Sequence, residues 1–402
     1  MPFSAATTLI MEANYKWIEQ HLGDDTSALR LKYGKTHPFD ILQIECRRRF
    51  GAKLADTLHE NPRFLFPTPL SGEQATSSVL ARFHASLINP GDNVADFTAG
   101  LGIDAMAMAA VASRVTAVER DPLVAEALKV NTSTADNITV VCDDCRDFAE
   151  VCADAGTTYD CIFIDPARRE ADGSRAYALD RCEPSVTEML PTLARLTPKL
   201  IIKASPMLDI SHTLSLLPHV SRIIALGTTT ECKELDIVCL FDVLTDEAEV
   251  SAVTVTPTAT EIFNFSRRDE AAATVEFGLP KVGDTVYDPY PAVMKSGAMK
   301  LTGQRFGLKK LAPNTHLWFS ERLVGGFPGH AFRVTEVLPY ASRNIKRYAA
   351  AHPRVSVSAR NFDMTSETLR KRLGVSDGPD RLFGVTAADG NRYLITATPA
   401  EA

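Results

Sequence analysis

At 402 residues the chain exceeds the size at which a single core keeps growing, so two or three domains are expected. With 45% apolar and 23% charged residues it reads as an ordinary globular protein, which excludes a disordered, fibrous or disulfide-scaffold class. No apolar run is long enough for a membrane helix and Met1-Pro2-Phe3-Ser4 lacks the layout of a secretion signal, so a cytoplasmic location is the expectation.

The formal charge of −7 hides an asymmetry. Residues 281 to 380 hold 16 Lys and Arg against 8 Asp and Glu, a local net of +8, leaving −15 on the remainder. A cationic module on an acidic body suggests an anionic partner, with a mixed solvated surface as the plain alternative. The eight cysteines are scattered, several in apolar segments such as Cys161 and Cys239, as buried reduced thiols would be. Cys142 and Cys145 form one C-x-x-C pair, but no second pair stands at zinc spacing, and no metal is expected.

In chain order, residues 1 to 88 predict a helical region, with Leu54, Leu58, Val79, Leu80 and Phe83 at helical spacing. Ser71-Gly72-Glu73-Gln74 fits a capping box opening a helix that runs to about Leu87. From 89 to 245 short apolar strands alternate with amphipathic helices: Asn93–Asp96, Val115–Glu119, Thr139–Cys142, Tyr159–Ile164, Lys199–Lys203 and Arg222–Leu226. Such βαβ repetition predicts an α/β, doubly wound parallel sheet, and the short loop before Leu235–Val243 predicts a last strand that turns back antiparallel. Residues 246 to 330 read as a linker and a small domain. Residues 331 to 402 predict a second small α+β domain: strand Phe332–Val337, helix Ser342–Ala351, strand Val355–Ala359, helix Thr365–Leu373 and strands Arg381–Thr386 and Arg392–Thr396.

The chemistry gathers at the ends of the parallel strands, where an open α/β sheet binds its ligands. The first strand delivers Asp96-Phe97-Thr98-Ala99-Gly100-Leu101-Gly102-Ile103-Asp104, whose glycines let the backbone approach a ligand. Gly100 to Ala105 also satisfies the dinucleotide pattern G-x-G-x-x-G/A, so NAD or FAD competes with a methyl donor at this point. Asp96 shifts the balance, because a carboxylate there repels a pyrophosphate and accepts a hydrogen bond from a methionine ammonium. Glu119, followed by Arg120, ends the second strand where an acid serves the ribose of either cofactor. Asp121-Pro122 is explained as a helix N-cap with proline in the first turn. Asp144, with Asp143 and Asp147 as neighbours, stands where an adenine amino group is accepted or where a helix is capped.

The fourth strand brings Asp165-Pro166-Ala167-Arg168-Arg169 to the same edge. A carboxylate stiffened by proline can orient a nucleophilic amine or take its proton, so Asp165, Pro166 and Arg168 are the candidate catalytic residues. Lys203, ending the fifth strand, faces the pocket toward a phosphate or carboxylate, or else reaches for solvent. Glu231 and Lys233 fit surface charge.

This series of strand-end acids resembles class I S-adenosylmethionine-dependent methyltransferases, and Asp96 to Ala105 is particularly similar to small-subunit ribosomal RNA guanine-N2 methyltransferases. The whole layout looks closer to bacterial proteins that join a helical N-terminus, a methyltransferase core, a ferredoxin-like insert and a C-terminal THUMP-like domain. The segments carrying that likeness are Lys203–Ile210, Glu231–Leu235, Pro291–Lys295 and Gly307–Leu311. The resemblance implies a Rossmann-like seven-stranded core and S-adenosylmethionine held by Asp96, Thr98, Ala99, Gly100, Gly102, Asp104, Glu119, Arg120 and Asp144. Since THUMP domains occur in tRNA-modifying enzymes, it also implies RNA, tRNA or rRNA, as substrate. Lys203, Lys309, Lys310, Arg343, Lys346 and Arg347 are the substrate-binding candidates, with Arg354, Arg360 and Arg370-Lys371-Arg372 as further cations and Tyr340, Tyr348 and Phe362 as interleaved aromatics that also suit a core.

One departure is evident. Amine-directed nucleic-acid methyltransferases carry D/N-P-P-Y/F/W, with the aromatic ring stacking on the extruded base, whereas Ala167 and Arg168 occupy those places here. Arg168 can stack through its guanidinium plane or pair with a phosphate. A covalent route to a pyrimidine C5 needs a cysteine beside the donor methyl, and neither Cys161 nor Cys232 has that setting. Transfer to a small molecule or protein, and a donor- or RNA-binding protein with little catalysis, stand as alternatives to RNA methylation.

Overall fold

The computed structural model describes residues 13–168, 179–243 and 245–400; Met1-Pro2-Phe3-Ser4, Arg169 and the side chain of Arg168 lie outside what it describes. The chain divides into two units, the first formed by Met1–Arg222 with Glu234–Asp246 and the second by Ile223–Lys233 with Glu247–Ala402. The expected boundary at residue 88 therefore falls inside the first unit.

Within the first unit the described chain begins with α1 (Tyr15–His21), α2 (Thr26–Tyr33), α3 (Pro38–Phe50), α4 (Ala55–Glu60), α5 (Pro69–Gln74) and α6 (Ser78–Ala85). The single helix expected over residues 71 to 87 is instead two. Thr68 caps α5 through the Ser71 amide with Pro69 in the first turn, and Ser77 caps α6 through the Leu80 amide. Two side-chain caps so close together favour two short helices over one long one, and Thr76 is left in the break between them.

These helices share one core with the turn after the first strand: Cys46, Phe50, Leu54, Phe64, Phe66 and Ala81 pack with Leu101 and Ile103. Two buried amides fasten the connector between α4 and α5. Gln43 accepts from the Phe66 amide at 2.9 Å and donates to its carbonyl at 2.8 Å. Asn131 does the same for Leu65, at 2.7 and 3.1 Å, and donates to the Leu101 carbonyl at 3.1 Å. The side chains act as short stretches of strand, satisfying backbone groups that burial would otherwise orphan.

The core sheet follows: β1 (Asn93–Asp96), α7 (Ile103–Ala109), β2 (Arg114–Glu119), α8 (Pro122–Asn131), β3 (Ile138–Cys142), α9 (Cys145–Asp154), β4 (Cys161–Ile164), the small ribbon of β5 (Ala167–Arg168) and β6 (Cys182–Glu183), α10 (Val186–Leu196), β7 (Lys199–Ala204), α11 (Ile210–Leu216), β8 (Val220–Gly227) and β9 (Cys232–Leu240). Through the first unit the strand order is β9-β7-β4-β1-β2-β3. The β3-β2-β1-β4-β7 run is parallel, and β9 alone returns antiparallel against β7, from Lys199↔Leu240 to Ala204↔Leu235. This is the expected Rossmann-like architecture with its reversed last strand. Chain order reverses between β1 and β4, which opens the crevice at their carboxyl ends.

The second unit contains the hairpin β10 (Glu249–Val255) and β11 (Thr260–Ser266), then α12 (Arg267–Ala272), β12 (Thr285–Pro289), α13 (Pro291–Ser296), α14 (Leu301–Phe306), β13 (Lys309–Ala312), β14 (Thr315–Ser320), β15 (Gly329–Pro339), α15 (Ser342–Ala351), β16 (Arg354–Arg360), α16 (Ser366–Leu373), β17 (Ser376–Thr386) and β18 (Arg392–Pro399). β12 to β18 make one sheet, ordered β13-β14-β12-β15-β18-β17-β16, in which only β16 and β17 pair in parallel. The expected division at residue 330 runs through β15, so the two small domains share a sheet and a core that joins Val286, Leu317 and Phe319 to Phe383 and Ile395. Tyr348 is buried with its hydroxyl 2.7 Å from Thr396 Oγ1, and Tyr340 packs edge-on to Phe362 at 5.0 Å, so these rings belong to the packing.

Candidate active site

The strand-end turns lock onto one another through their backbones. Thr98 donates its amide to Asp96 Oδ1 at 3.1 Å and accepts the Asp165 amide on Oγ1 at 2.6 Å, joining the turn after β1 to the turn after β4. Asp96 is 1% exposed; burial, reinforced by the negative charge of Asp104, pushes its carboxyl up to about 8. The Ala99 amide donates to the Val118 carbonyl and the Gly100 amide to Glu119 Oε2 at 3.0 Å, so the turn is pinned to β2 as well.

The two glycines are needed for different reasons. Gly100 has φ of +54° with open space where a Cβ would stand, so its backbone remains approachable from outside. Gly102 has φ of +87°, and a Cβ there would lie 2.5 Å from Leu128 Cδ1 and 3.0 Å from Thr132 Cγ2, so α8 can pack against the turn only with glycine present. Glu119 is half-buried and accepts the Asp121 amide on its other oxygen at 2.8 Å; burial raises its pKa, and lone pairs remain for hydroxyl donors. Arg120 beside it is exposed.

Asp144 caps α9 through the Arg146 amide and is gripped by the Arg146 guanidinium at 2.9 and 2.8 Å, which holds its carboxyl down near 2. Arg146 also pairs with Glu183 of β6 at 2.9 Å. The structural role of Asp144 is thus realised, while Asp143 and Asp147 are exposed.

Asp165 follows β4, with Pro166 buried behind it, and 37% of its side chain is open, enough to meet a second molecule. Its Oδ2 accepts a hydrogen bond from Lys203, which also donates to Thr76 Oγ1 at 2.9 Å and stands 3.9 Å from Asp104 Oδ2. Lys203 is 9% exposed. Burial opposes its charge, but Asp165, Asp104 and Glu234 outweigh burial and hold the proton on it. Lys203 is thus held by side chains of the protein itself, Asp165, Asp104 and Thr76, where the sequence suggested a substrate contact or solvent.

Behind Lys203 lies a buried cluster that the sequence did not reveal. Thr76 donates to Asp104 Oδ2, and His84 sits 2.7 Å from Asp104 Oδ1 through Nδ1 and 2.9 Å from Glu234 Oε1 through Nε2. Asp236 Oδ2 is 3.6 Å from the same Nε2. Burial works against a charged imidazole, yet the carboxyls of Asp236, Asp104 and Glu234 raise its pKa well above the usual histidine value. Burial favours the neutral acid at Asp104 too, but His84 and Lys203 bring it down to about 2. Asp104 is thus an anchor within the protein rather than a free cofactor contact. The sequence signal for this cluster was Glu234-x-Asp236, two acids on one face of β9, whose remaining residues after Lys233 are apolar. His84 and Thr76 carried no signal, because only the fold brings α6 to the sheet.

The basic residues of the second unit separate by exposure. Lys310 is 2% exposed, donates to the Pro313 carbonyl at 2.8 Å and lies 5.5 Å from the Trp318 ring centre, so it contacts no ligand at the surface. Strand alternation explains this, since adjacent Lys309 and Lys310 must face opposite sides. Lys309 is exposed and pairs with Glu276 at 3.0 Å. Arg360 pairs with Asp288, Arg370 and Lys371 with Glu367, and Arg372 lies over Tyr340. Arg343, Lys346 and Arg347 are exposed on α15 and form no ion pair with any described residue. Glu231 and Lys233 pair with each other. Cys161 is fully buried and its thiol is pushed up to about 12, far from a nucleophilic thiolate.

Comparison with known proteins agrees with these two halves. A family model described as a ferredoxin-like domain matches residues 286–328, and one described as THUMP domain-like matches 329–399. The solved structure of a putative methyltransferase from Porphyromonas gingivalis W83 is 28% identical, covers 100% of both chains and superposes with a TM-score of 0.87. An uncharacterized S-adenosylmethionine-dependent methyltransferase from two strains of Mycobacterium tuberculosis is 24% identical over 86% of this chain and 91% of its own length. No described helix is long and apolar enough to cross a membrane. The chain is a methyltransferase-fold protein with ferredoxin-like and THUMP domain-like C-terminal segments, similar along its length to an uncharacterized S-adenosylmethionine-dependent methyltransferase.

Proposed function

We propose that the chain transfers a methyl group from S-adenosylmethionine to a base nitrogen of RNA, tRNA or rRNA, with Asp165 as the group that orients the acceptor amine and takes its proton. The observation that carries the reading is Asp165 itself: a strand-end carboxylate, partly open, held on one side by Lys203 and linked through its amide to the turn that would hold the donor. The donor supplies an electrophilic methyl on sulfur. The chain supplies an approachable backbone at Gly100, acceptors at Asp96 and Glu119, and a carboxylate for the acceptor's proton. Mass spectrometry of total RNA nucleosides from a deletion strain tests the reading, which predicts one missing methylated nucleoside; an unchanged profile removes RNA as the substrate.

Donor binding should depend on pH through Asp96. Burial pushes its carboxyl up to about 8, and a methionine ammonium pairs with the ionised form, so binding below that pH must release a proton. Affinity is therefore expected to rise by up to about tenfold per unit as pH climbs toward 8 and to fall above it, where an α-ammonium itself loses its proton. Calorimetry in buffers of different ionisation enthalpy checks this, and Asp96→Asn should flatten the profile.

For the RNA, support comes from Arg343, Lys346 and Arg347, three exposed cations on one helix of the THUMP domain-like stretch that pair with no described acid. Changing all three to Gln should weaken tRNA binding and lower the slope of log affinity against log salt by about 2 to 3. A gel-shift titration reads both quantities, and an unchanged slope would put the contacts elsewhere. A second reading, transfer to a small molecule or protein, gains from the pairing of Lys309, Arg360 and Arg370 within the chain, which leaves less cationic surface than the local charge suggests.

A further inference from the structure

We infer that His84, Glu234 and Asp236 bind a divalent transition-metal ion inside the first unit. Each offers one ligand atom, and the three atoms lie within 4.8 Å of one another. His84 Nε2 is 2.9 Å from Glu234 Oε1 and 3.6 Å from Asp236 Oδ2. The edge of a tetrahedron with metal bonds of zinc length is about 3.3 Å, and both separations from Nε2 lie within a few tenths of an ångström of it.

The second observation is Asp236. It is 0% exposed, and neither of its carboxylate oxygens has a hydrogen-bond partner. A carboxylate withdrawn from water and left without a donor is costly, and buried charges are ordinarily paired or bound to a metal. His84 shows the matching arrangement on its other side, where Nδ1 lies 2.7 Å from Asp104 Oδ1. A carboxylate on the second ring nitrogen fixes the orientation of a metal-bound imidazole, presenting Nε2 to the ion.

Charge points the same way. Five carboxyl groups, Asp96, Asp104, Asp165, Glu234 and Asp236, gather around two basic side chains, His84 and Lys203. Lys203 is shared by Asp165, Asp104 and Thr76, while the imidazole of His84 faces Asp104, Glu234 and Asp236 together. One imidazole with two carboxylates suits zinc, manganese or ferrous iron; calcium and magnesium favour sites made wholly of oxygen. The ion would tie α6 to β9 and, through Asp104, to the start of α7. It acts on Asp165 only through the chain Asp104, Thr76 and Lys203, so its role is to position and to stabilise.

The test uses the full-length protein, stripped with chelator, desalted, and incubated with Zn²⁺ or Mn²⁺ alone. One equivalent should survive desalting by elemental mass spectrometry and raise the melting midpoint by several degrees. Co²⁺ should give weak d–d absorption without a thiolate charge-transfer band. Asp236→Asn should lose the equivalent, and Cys142→Ser, which tests the C-x-x-C pair, should keep it. Should Asp236→Asn fail to fold, Glu234→Gln gives the same readout. Failure of the unaltered protein to retain either ion overturns the inference, as does full retention in the folded carboxyl variant. Neither measurement uses methyl transfer, so the site and the proposed reaction stand or fall separately.

Discussion

Replacing Asp165 by Asn should lower single-turnover methyl transfer by about 10²- to 10⁴-fold, the usual contribution of a positioned acid–base group. Donor affinity should stay within a few-fold, because Asp165 meets the donor turn through its backbone amide, which the substitution leaves in place. The amide side chain keeps the size and one acceptor oxygen for Lys203 but cannot take the proton of an attacking amine. The comparison to make is rate against donor binding, with radiolabelled donor and RNA from a strain lacking the protein. An unchanged rate would leave a donor- and RNA-binding protein as the better account. A parallel loss of donor binding would mean that Asp165 organises the turn instead.

Lys203→Met carries the second large effect, on stability. The methionine has similar length but leaves Asp165 and Asp104 without their shared cation in a region where Lys203 is 9% exposed. Breaking a buried ion pair from one side costs about 3–5 kcal/mol, because the remaining charge is stranded. Adding Asp165→Asn to the same chain removes one stranded charge and should recover part of the loss, the coupling expected of residues in direct contact. Urea unfolding followed by a probe in the first unit measures both variants. A single-variant loss under about 0.5 kcal/mol would show that water or rearrangement satisfies the acids.

The strand-end turns were legible because their residues are local. Asp96, Glu119 and Asp165 stand at strand ends, and the alternation of strand and helix marks those ends in the sequence. The cluster behind Lys203 was not legible, because it depends on His84 of α6 meeting Glu234 of β9, residues 150 positions apart in the chain. Thr76 was hidden for a different reason: two capping residues split what the apolar spacing presents as one helix. Counting cations along the chain overstated the basic surface, since it assigned Lys310 to solvent against the alternation of its own strand and treated Arg360 and Arg370 as unpaired. Asp144 shows that one residue can satisfy a cap and an ion pair at a position where the family resemblance implies a ligand contact.

The amide fastening of the connector bears on how the protein can be dissected. Asn131 in α8 holds both backbone groups of Leu65 and one of Leu101, and Gln43 holds both of Phe66. A fragment begun at the first strand would expose Leu101 and Ile103, strand the side chain of Asn131 and lose Thr76 and His84 together. The smallest piece fit for inhibitor screening or ligand soaking therefore starts upstream of α3, and genetic fusions belong at the far end of the helical region rather than at its join to the sheet.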